Sequence, residues 1–353
     1  MKILIIQQKM IGDVLTSSIL FEALRQKYPK AQLDYLINSH TYPVVENNPF
    51  INNFIFFTKA EASSKKALFK LAKSVKKSNY DIVIDVYSKF SSNIITLFSG
   101  AKVKISKHKW YSAAIYTKTF NEANVAKTNA GLAIENRLQL ITPILKESLK
   151  IIQPKIYLTA SEIEHSKQFL LKHHIDLNTP LFMISVLGSG DNKTYPLPYM
   201  AKLIDAIVKN TNAQILFNYI PSQKEQARAV FNLCKNTTQN NIFFNAFGKS
   251  LRDFLAITKH CNALIGNEGG AVNMAKAIDI PTFTIFSPWI KKEAWSMFED
   301  DKKHVSVHLK DFKTALFEGK SSKDLKSHWQ SLYQEFLPSY FLEKLYTFIY
   351  LHL

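Results

Sequence analysis

The chain has few of the residues that cross-linked or metal-stabilised folds depend on. Its 353 residues include two cysteines, Cys234 and Cys261, which excludes a disulfide framework and a cysteine-based metal cluster. No apolar run approaches the roughly 20 residues needed to cross a bilayer. The short apolar start at Lys2–Ile6 lacks the small-residue cleavage site of a signal peptide. We therefore expect a cytoplasmic protein.

Acidic residues are also scarce. The chain has 28 Asp and Glu against 45 Lys and Arg, which gives a formal net charge of +17. Such a balance indicates a nucleic acid, an anionic membrane surface or a phosphorylated substrate as partner. Zinc-finger spacing, aromatic RNA-binding motifs and arginine-rich tracts are missing, so we expect no nucleic-acid partner. A lysine-rich surface without a specific partner is the alternative.

Apolar residues are plentiful, at 46%, and the length suits two ordinary domains with separate cores. Short apolar runs alternate with helical patterns, which predicts an α/β fold of parallel sheets with helices on both faces. The alternation pauses at the Pro-containing connector Gln153–Lys155. We predict domains at residues 1–155 and 156–327, followed by a helical segment at residues 328–353.

The final segment is aromatic and amphipathic. We favour packing of this segment into a hydrophobic core, and helices that cross back to the first domain are one way to achieve it. A helix that lies on a membrane surface is the alternative.

The predicted strands upstream are Lys2–Ile6, Gln32–Ile37, Asn53–Phe57, Asp81–Asp85, Lys102–Ile105, Leu181–Val186, Gln214–Phe217, Ile242–Phe244, Ala263–Ile265 and Thr282–Phe286.

The chain has ten glycines, and three of them cluster within Gly266–Gly270. This turn lies between the predicted strand Ala263–Ile265 and a predicted helix at Ala271–Ile278. Glycine lets the backbone approach a ligand, and a helix start offers free N–H groups to a diphosphate. A glycine-rich turn that only closes a Rossmann-like unit is the alternative interpretation.

The first βα turn contains one glycine, Gly12, where a dinucleotide-binding fingerprint needs three, which disfavours an NAD or FAD enzyme. Asp13 follows at the mouth of the expected cleft. It serves either as a helix N-cap or as a general base that takes a proton from an acceptor hydroxyl. In the same basic domain, Lys9, Lys107 and Lys109 are candidates for contacts with acceptor phosphates.

In the second predicted domain, the loop Gly188–Pro196 follows a buried strand and carries Lys193. A lysine there is suited to neutralising a leaving diphosphate, although an exposed loop lysine is the alternative. The small residues Gly188 and Ser189 are assigned to the same binding site. Tyr219, at the end of the next strand, is a candidate for contact with a base or ribose.

These motifs, in this order, resemble glycosyltransferase family 9, the bacterial heptosyltransferase family of lipopolysaccharide core assembly. The likeness rests on I-G-D-V-L at Ile11–Leu15, on K-T-Y-P at Lys193–Pro196 and on I-G-N-E-G-G at Ile265–Gly270. The resemblance implies a GT-B fold, with two Rossmann-like domains facing each other across a cleft. It places the acceptor on the N-terminal domain and the nucleotide sugar on the C-terminal one.

Matched residue by residue, Asp13 corresponds to the family's proposed catalytic base and Lys193 to its phosphate-contacting lysine. The family's donor-binding turn corresponds to Glu268, Gly269 and Gly270. Two departures fall in this region. Glu268 replaces the usual aspartate, and Asn273 stands where the family has a histidine. Both bear on donor identity.

The resemblance also implies an inverting, metal-independent glycosyltransferase that needs no cofactor. It would move a heptose or related sugar from a nucleoside diphosphate to a lipopolysaccharide or lipooligosaccharide core, or to another envelope glycan. The implied partners are the nucleotide sugar, a phosphorylated glycolipid and the anionic inner face of the inner membrane, where the enzyme would be peripheral. The alternatives are a non-catalytic nucleotide-sugar-binding relative and a GT-B-fold nucleotide-sugar epimerase.

Overall fold

The structure, a computed structural model, describes residues 1–145 and 150–353. Contacts between Cα atoms divide the chain into two compact parts, Met1–Tyr157 (unit 1) and Leu158–Leu353 (unit 2). Each unit contains one parallel β-sheet with helices between its strands. In the described part of the chain, every helix is too short or too polar to cross a bilayer.

Unit 1 contains a six-stranded sheet in the order β3-β2-β1-β4-β5-β6, with every pair parallel. This is a Rossmann order, and its direction reverses between β1 and β4. The strands are β1 Lys2–Ile6, β2 Gln32–Asn38, β3 Asn53–Phe57, β4 Ile82–Asp85, β5 Val103–Lys107 and β6 Lys118–Phe120. The helices are α1 Ile11–Ser17, α2 Ile19–Lys27, α3 Lys59–Ser63, α4 Lys65–Lys77, α5 Phe90–Phe98, α6 Leu132–Leu138 and α7 Thr142–Leu145.

The amphipathic helix α4 shows how the sequence builds this unit. Ser64 caps it, because its hydroxyl accepts a hydrogen bond from the Ala67 N–H at 3.3 Å. Leu68, Ala72 and Val75 follow at intervals of four and three residues, so they share one face and pack into the core beneath the sheet. The lysines of this helix lie on its solvent-exposed face.

Unit 2 contains a five-stranded parallel sheet in the order β11-β10-β9-β7-β8, which reverses direction between β7 and β9. Its strands are β7 Leu181–Ser185, β8 Gln214–Asn218, β9 Ala263–Asn267, β10 Thr282–Ile285 and β11 His304–Val307. Its helices are α8 Ala160–Lys172, α9 Leu197–Thr211, α10 Lys224–Leu233, α11 Asn236–Gln239, α12 Leu251–Thr258, α13 Gly270–Ala277, α14 Lys292–Trp295, α15 Ser322–Ser327, α16 Trp329–Gln334 and α17 Leu342–Tyr350.

The C-terminal segment belongs to unit 2. Phe336, Phe341 and Phe348 are buried in its core, and the Phe348 ring lies 5.6 Å from that of Phe283 on β10. Burial of these large side chains explains the amphipathic pattern of residues 328–353. The sequence had left open a return to the first domain, whereas the structure places these apolar residues in the core of the second.

Candidate active site

Open parallel sheets bind ligands beyond the carboxyl ends of their strands, where the strand order reverses. In unit 1 the reversal lies between β1 and β4, and Asp13 follows β1. In unit 2 it lies between β7 and β9, and these strands are followed by Lys193 and Glu268 respectively. The predicted base and two predicted donor-binding residues therefore lie at the two reversal points.

A cavity of about 160 Å³ opens at the carboxyl edge of the unit 1 sheet. Four of its lining side chains are cations and two are carboxylates, and Lys107 pairs with Glu122 at 3.3 Å. This excess of positive charge suits an anionic ligand. The lining residues are Gln7, Lys9, Asp13, Val86, Tyr87, Lys89, Lys107, Phe120, Glu122, Asn136, Arg137, Gln139 and Leu140.

Asp13 occupies the third position of α1 and is not its N-cap. Its Oδ1 accepts a hydrogen bond from Arg137 Nη2 at 2.6 Å, and its Oδ2 accepts a longer one from the Met10 N–H at 3.3 Å. The side chain keeps 28% of its exposure. Oδ1 is therefore committed to the guanidinium, and Oδ2 is the oxygen better placed to accept a proton.

Arg137 was not predicted from the sequence, although it fixes the orientation of Asp13. Its Nε donates to Ser17 Oγ at 3.0 Å and its Nη1 to the Ala133 carbonyl at 2.6 Å. These bonds hold the guanidinium in place from helices α1 and α6. The residue lies 124 positions from Asp13, so no local motif links the two. Arginine is rare in this chain, with only four among the 45 basic residues, and this rarity is a sequence signal that could have drawn attention to Arg137.

Lys109 lies outside the cavity lining, unlike Lys9 and Lys107. Its ammonium donates to the Ser88 carbonyl. The Ser88 N–H in turn donates to the fully buried Asp85 carboxylate at 2.7 Å, and burial raises the pKa of Asp85. Lys109 thus helps to hold the loop after β4.

In unit 2, the Lys193 ammonium lies 3.4 Å from Glu268 Oε1. The Glu268 side chain is 9% exposed, and this oxygen has no hydrogen-bond partner among the described residues. Burial raises the pKa of Glu268, and the nearby Lys193 charge opposes that rise. A buried carboxylate oxygen without a hydrogen bond is suited to accepting one from a ligand hydroxyl.

The loop that carries Lys193 is folded back on itself. A Cβ on Gly188 would lie 2.2 Å from the Lys193 carbonyl oxygen, so glycine is needed for this close approach. The Asn192 carbonyl accepts hydrogen bonds from Trp289 Nε1 at 2.7 Å and from Ser287 Oγ at 2.8 Å. Gly188 therefore shapes the loop that positions Lys193.

Asn267 joins this loop to the end of β9. Its fully buried amide accepts from the Tyr195 N–H at 2.6 Å and donates to the Ser185 carbonyl at 2.9 Å. A Cβ on Gly266 would lie 2.5 Å from the Ser185 carbonyl oxygen. The two strand ends at the reversal point are thus packed tightly, and the Lys193 loop is fastened beside Glu268.

Gly269 has φ +147°, a conformation that favours glycine, and Gly270 is the exposed first residue of α13. The first N–H groups of a helix have no intrahelical acceptor, so this turn offers donors and a positive helix end to an anion. Asn273 lies in the first turns of α13 and is half-buried. These predicted donor residues therefore share one turn with Glu268.

Two other predicted donor residues differ in their surroundings. Ser189 is exposed in the Lys193 loop. Tyr219 is buried, stacks on Phe244 at 5.3 Å, and donates its hydroxyl to the Phe244 carbonyl at 3.2 Å. The structure thus gives Tyr219 a packing role, and its contact with a nucleotide stays a prediction.

Trp289 is a further residue at this site that sequence reasoning missed. The Lys193 ammonium lies 5.8 Å from its ring centroid, and the Lys326 ammonium lies 4.9 Å from it. Trp289 therefore supports Lys193 in two ways, through a cation–π contact with the ring and through the hydrogen bond from Nε1 to the Asn192 carbonyl.

In residues 1–145 and 150–353, no group of three or more His, Cys, Asp or Glu side chains is arranged to hold a metal ion.

The profile of glycosyltransferase family 9 (heptosyltransferase) matches residues 68–322. Among curated relatives, lipopolysaccharide heptosyltransferase 3 of Escherichia coli is 23% identical over 279 residues. That match covers 78% of this chain and 80% of the relative.

Solved structures show the same fold at low sequence identity. A family 9 glycosyltransferase from Veillonella parvula superposes with a TM-score of 0.75 and 17% identity, covering 95% of this chain and 97% of the other. The ADP-heptose lipopolysaccharide heptosyltransferase II of E. coli gives a TM-score of 0.68 at 16% identity, covering 95% and 99%.

The predicted GT-B fold class, with two Rossmann-like domains in one chain, is confirmed. Because the family profile spans more than half of the sequence, the chain belongs to glycosyltransferase family 9, the heptosyltransferase family, and is a glycosyltransferase.

Proposed function

We propose that the chain transfers a heptose or related sugar from a nucleoside diphosphate to a phosphorylated core glycolipid, with inversion at the anomeric carbon and without a metal ion. The observation that carries the proposal is the pairing of Lys193 with Glu268 at the unit 2 reversal point, beside the start of α13. Family membership supports the reaction class. The names of the relatives support a heptose donor and a lipopolysaccharide acceptor.

In this mechanism Asp13 is the general base. Its Oδ2 takes the proton from the acceptor hydroxyl as the hydroxyl oxygen attacks the anomeric carbon, and the bond from that carbon to the diphosphate breaks. Attack on the face opposite the leaving group inverts the configuration. Arg137 keeps Oδ1 occupied and so directs Oδ2 towards the hydroxyl.

The leaving diphosphate gains negative charge as the bond breaks. Lys193 supplies a nearby cation, and the N–H groups at Gly269 and Gly270 supply a helix start. Groups aimed in advance at developing charge are a major source of catalysis. These side-chain and backbone groups perform the task for which other transferases use a divalent cation.

Glu268 and Asn273 bear on which donor is bound. The Glu268 oxygen without a hydrogen bond is positioned to accept one from a ribose or sugar hydroxyl, and the longer side chain compensates for the aspartate usual in the family. Asn273 offers an amide instead of an ionisable imidazole. We infer that the donor is selected by hydrogen bonds between its uncharged hydroxyls and the side chains of Glu268 and Asn273.

The unit 1 cavity is proposed to bind the acceptor. Lys9, Lys89 and Lys107 give it the positive charge that a phosphorylated sugar requires. Such an acceptor is part of a lipid, so we propose that the enzyme works as a peripheral protein on the anionic inner face of the cytoplasmic membrane.

The test is a transfer assay with ADP-, GDP- and UDP-linked sugars and deacylated lipopolysaccharide core oligosaccharide. We expect a glycosylated product by mass spectrometry, an inverted linkage by NMR, and an unchanged rate in EDTA. Nucleotide release without a glycosylated product would contradict transfer. Loss of activity in EDTA that Mg²⁺ restores would contradict the metal-independent mechanism.

Glu268→Gln is expected to stabilise the protein at neutral pH while weakening donor binding. The folded-state pKa of Glu268 is raised, so the wild type loses stability as pH rises through that pKa, and glutamine avoids the loss. A difference of about 1 kcal/mol in the free energy of unfolding corresponds to roughly 2–4 °C in Tm for a domain of this size. We expect the variant's Tm to exceed that of the wild type by this amount at pH 8 and to match it near pH 4.

Calorimetric titration with the donor should show at least about tenfold weaker binding to this variant, because a charged acceptor of hydrogen bonds is lost. Asp253→Asn is the matched control, since that carboxylate is exposed in the capping box of α12 and far less desolvated. A Glu268→Gln variant that is less stable than the wild type at both pH values would contradict the assignment of a desolvated charge.

A further inference from the structure

Three loops of unit 1 share an unusual pattern in which a lysine is followed by an exposed large apolar side chain. The pairs are Lys9-Met10, Lys89-Phe90 and Lys109-Trp110. Met10 is 66% exposed, Phe90 69% and Trp110 87%, and Tyr111 beside Trp110 is 57% exposed. We call Met10, Phe90, Trp110 and Tyr111 the apolar rim.

The rim residues belong to one surface. The three loops follow β1, β4 and β5, which are consecutive neighbours in the sheet. Ser91 Oγ donates to Gln8 Oε1 at 2.6 Å, which ties the start of α5 to the loop after β1. The Lys109 ammonium donates to the Ser88 carbonyl, which ties the loop after β5 to the loop after β4.

The rim lies next to the unit 1 cavity without lining it. Lys9 and Lys89 contribute to the cavity wall, whereas the apolar residue that follows each of them does not. Side chains that stacked on a bound sugar would lie in the wall. The rim instead leaves large apolar groups in water beside a basic opening, and exposed apolar groups that lie together are typical of protein or membrane interaction surfaces.

We infer that the apolar rim inserts into the headgroup region of an anionic lipid bilayer, with the cavity opening towards the headgroups. Trp and Tyr prefer the membrane interface, and lysines beside them are attracted to anionic lipids. A symmetric contact with a second copy of the chain would bring the lysines of both copies together, and their repulsion disfavours it. The inference deepens the proposed function, because it states how the cavity reaches a lipid-borne acceptor.

The test measures flotation of the full chain with vesicles of phosphatidylethanolamine and phosphatidylglycerol, and with vesicles of phosphatidylcholine alone. We expect binding to the anionic vesicles that weakens with added salt. The double substitution Phe90→Ser and Trp110→Ser should lower partitioning by at least about tenfold. The control is Tyr350→Ser with Leu351→Ser, which removes apolar side chains that are 57% and 58% exposed on unit 2.

Equal binding of wild type and rim variant, or equal partitioning onto phosphatidylcholine, would overturn the inference. So would a wild-type dimer in sedimentation that the rim substitutions dissociate, since a second copy would then cover the rim. The rim variant should match the wild type in thermal melting and in transfer to deacylated acceptor, but be slower on acceptor embedded in vesicles. Vesicle binding needs no turnover, so it is informative even if no sugar transfer is found.

Discussion

Asp13→Asn is expected to lower kcat for sugar transfer by about 10²–10⁴-fold, because an amide cannot accept the proton of the acceptor hydroxyl. Donor affinity should change by less than about threefold, since the predicted donor-binding residues lie in unit 2. The rate is measured as nucleoside diphosphate release that depends on acceptor, and donor affinity by calorimetry. Loss of rate with intact donor binding assigns Asp13 to the chemical step.

The control for this substitution lies in the same cavity. Glu122 is the other carboxylate in the lining and pairs with Lys107 at 3.3 Å, so Glu122→Gln removes a negative charge without touching Asp13. We expect its kcat to stay within about threefold of the wild type. A rate for Asp13→Asn as high as that of this control would place the base elsewhere.

Lys193→Met is expected to lower kcat by about 10²–10³-fold, because the leaving diphosphate loses a cation as its charge develops. Lys326→Met is a matched control, because both ammonium groups lie beside the Trp289 ring, at 5.8 Å and 4.9 Å from its centroid. The control should keep the wild-type rate within about threefold. Equal losses in the two variants would show a general charge effect.

A double variant separates two explanations for a slow Lys193→Met enzyme. Without its lysine, Glu268 keeps a desolvated carboxylate whose pKa rises further. If adding Glu268→Gln restores most of the rate, Lys193 acts mainly by neutralising Glu268. We expect no restoration, because the lysine is proposed to act on the diphosphate.

Continuous apolar strands were predictable from the sequence. Lys2–Ile6 and Asn53–Phe57 match β1 and β3 to the residue. The strand β11 was missed because it alternates His304 and Ser306 with valines, yet His304 is buried and its Nδ1 lies 3.1 Å from Thr282 Oγ1. The predicted strand Ile242–Phe244 is reduced to an isolated bridge from Ile242 to Ile215. Polar partners across a sheet cannot be identified from hydrophobicity alone.

The residues of the candidate site also fall into two groups, those that sequence patterns predicted and those that only the structure revealed. Asp13, Lys193 and Glu268 lie in glycine-containing segments that follow apolar strands, and such local patterns predicted their positions after strand ends. Arg137 and Trp289 reach the site through tertiary contacts that no spacing encodes. The desolvation that raises the pKa of Glu268 likewise depends on what packs around it. Sequence patterns thus located the strand ends, whereas the supporting side chains required the structure.

Tyr195 links the Lys193 loop to the last helices of the chain. Its N–H bonds to Asn267 at 2.6 Å, and its buried hydroxyl bonds to the Phe336 carbonyl at 2.6 Å. Because the acceptor is a main-chain carbonyl, a chimaera that borrows residues 186–196 from a homologue, in order to change sugar preference, keeps this bond only if the borrowed loop has a tyrosine at position 195. A loop without that hydroxyl would leave the Phe336 carbonyl without its donor, so an exchange near β7 affects a segment more than 130 positions away in the sequence.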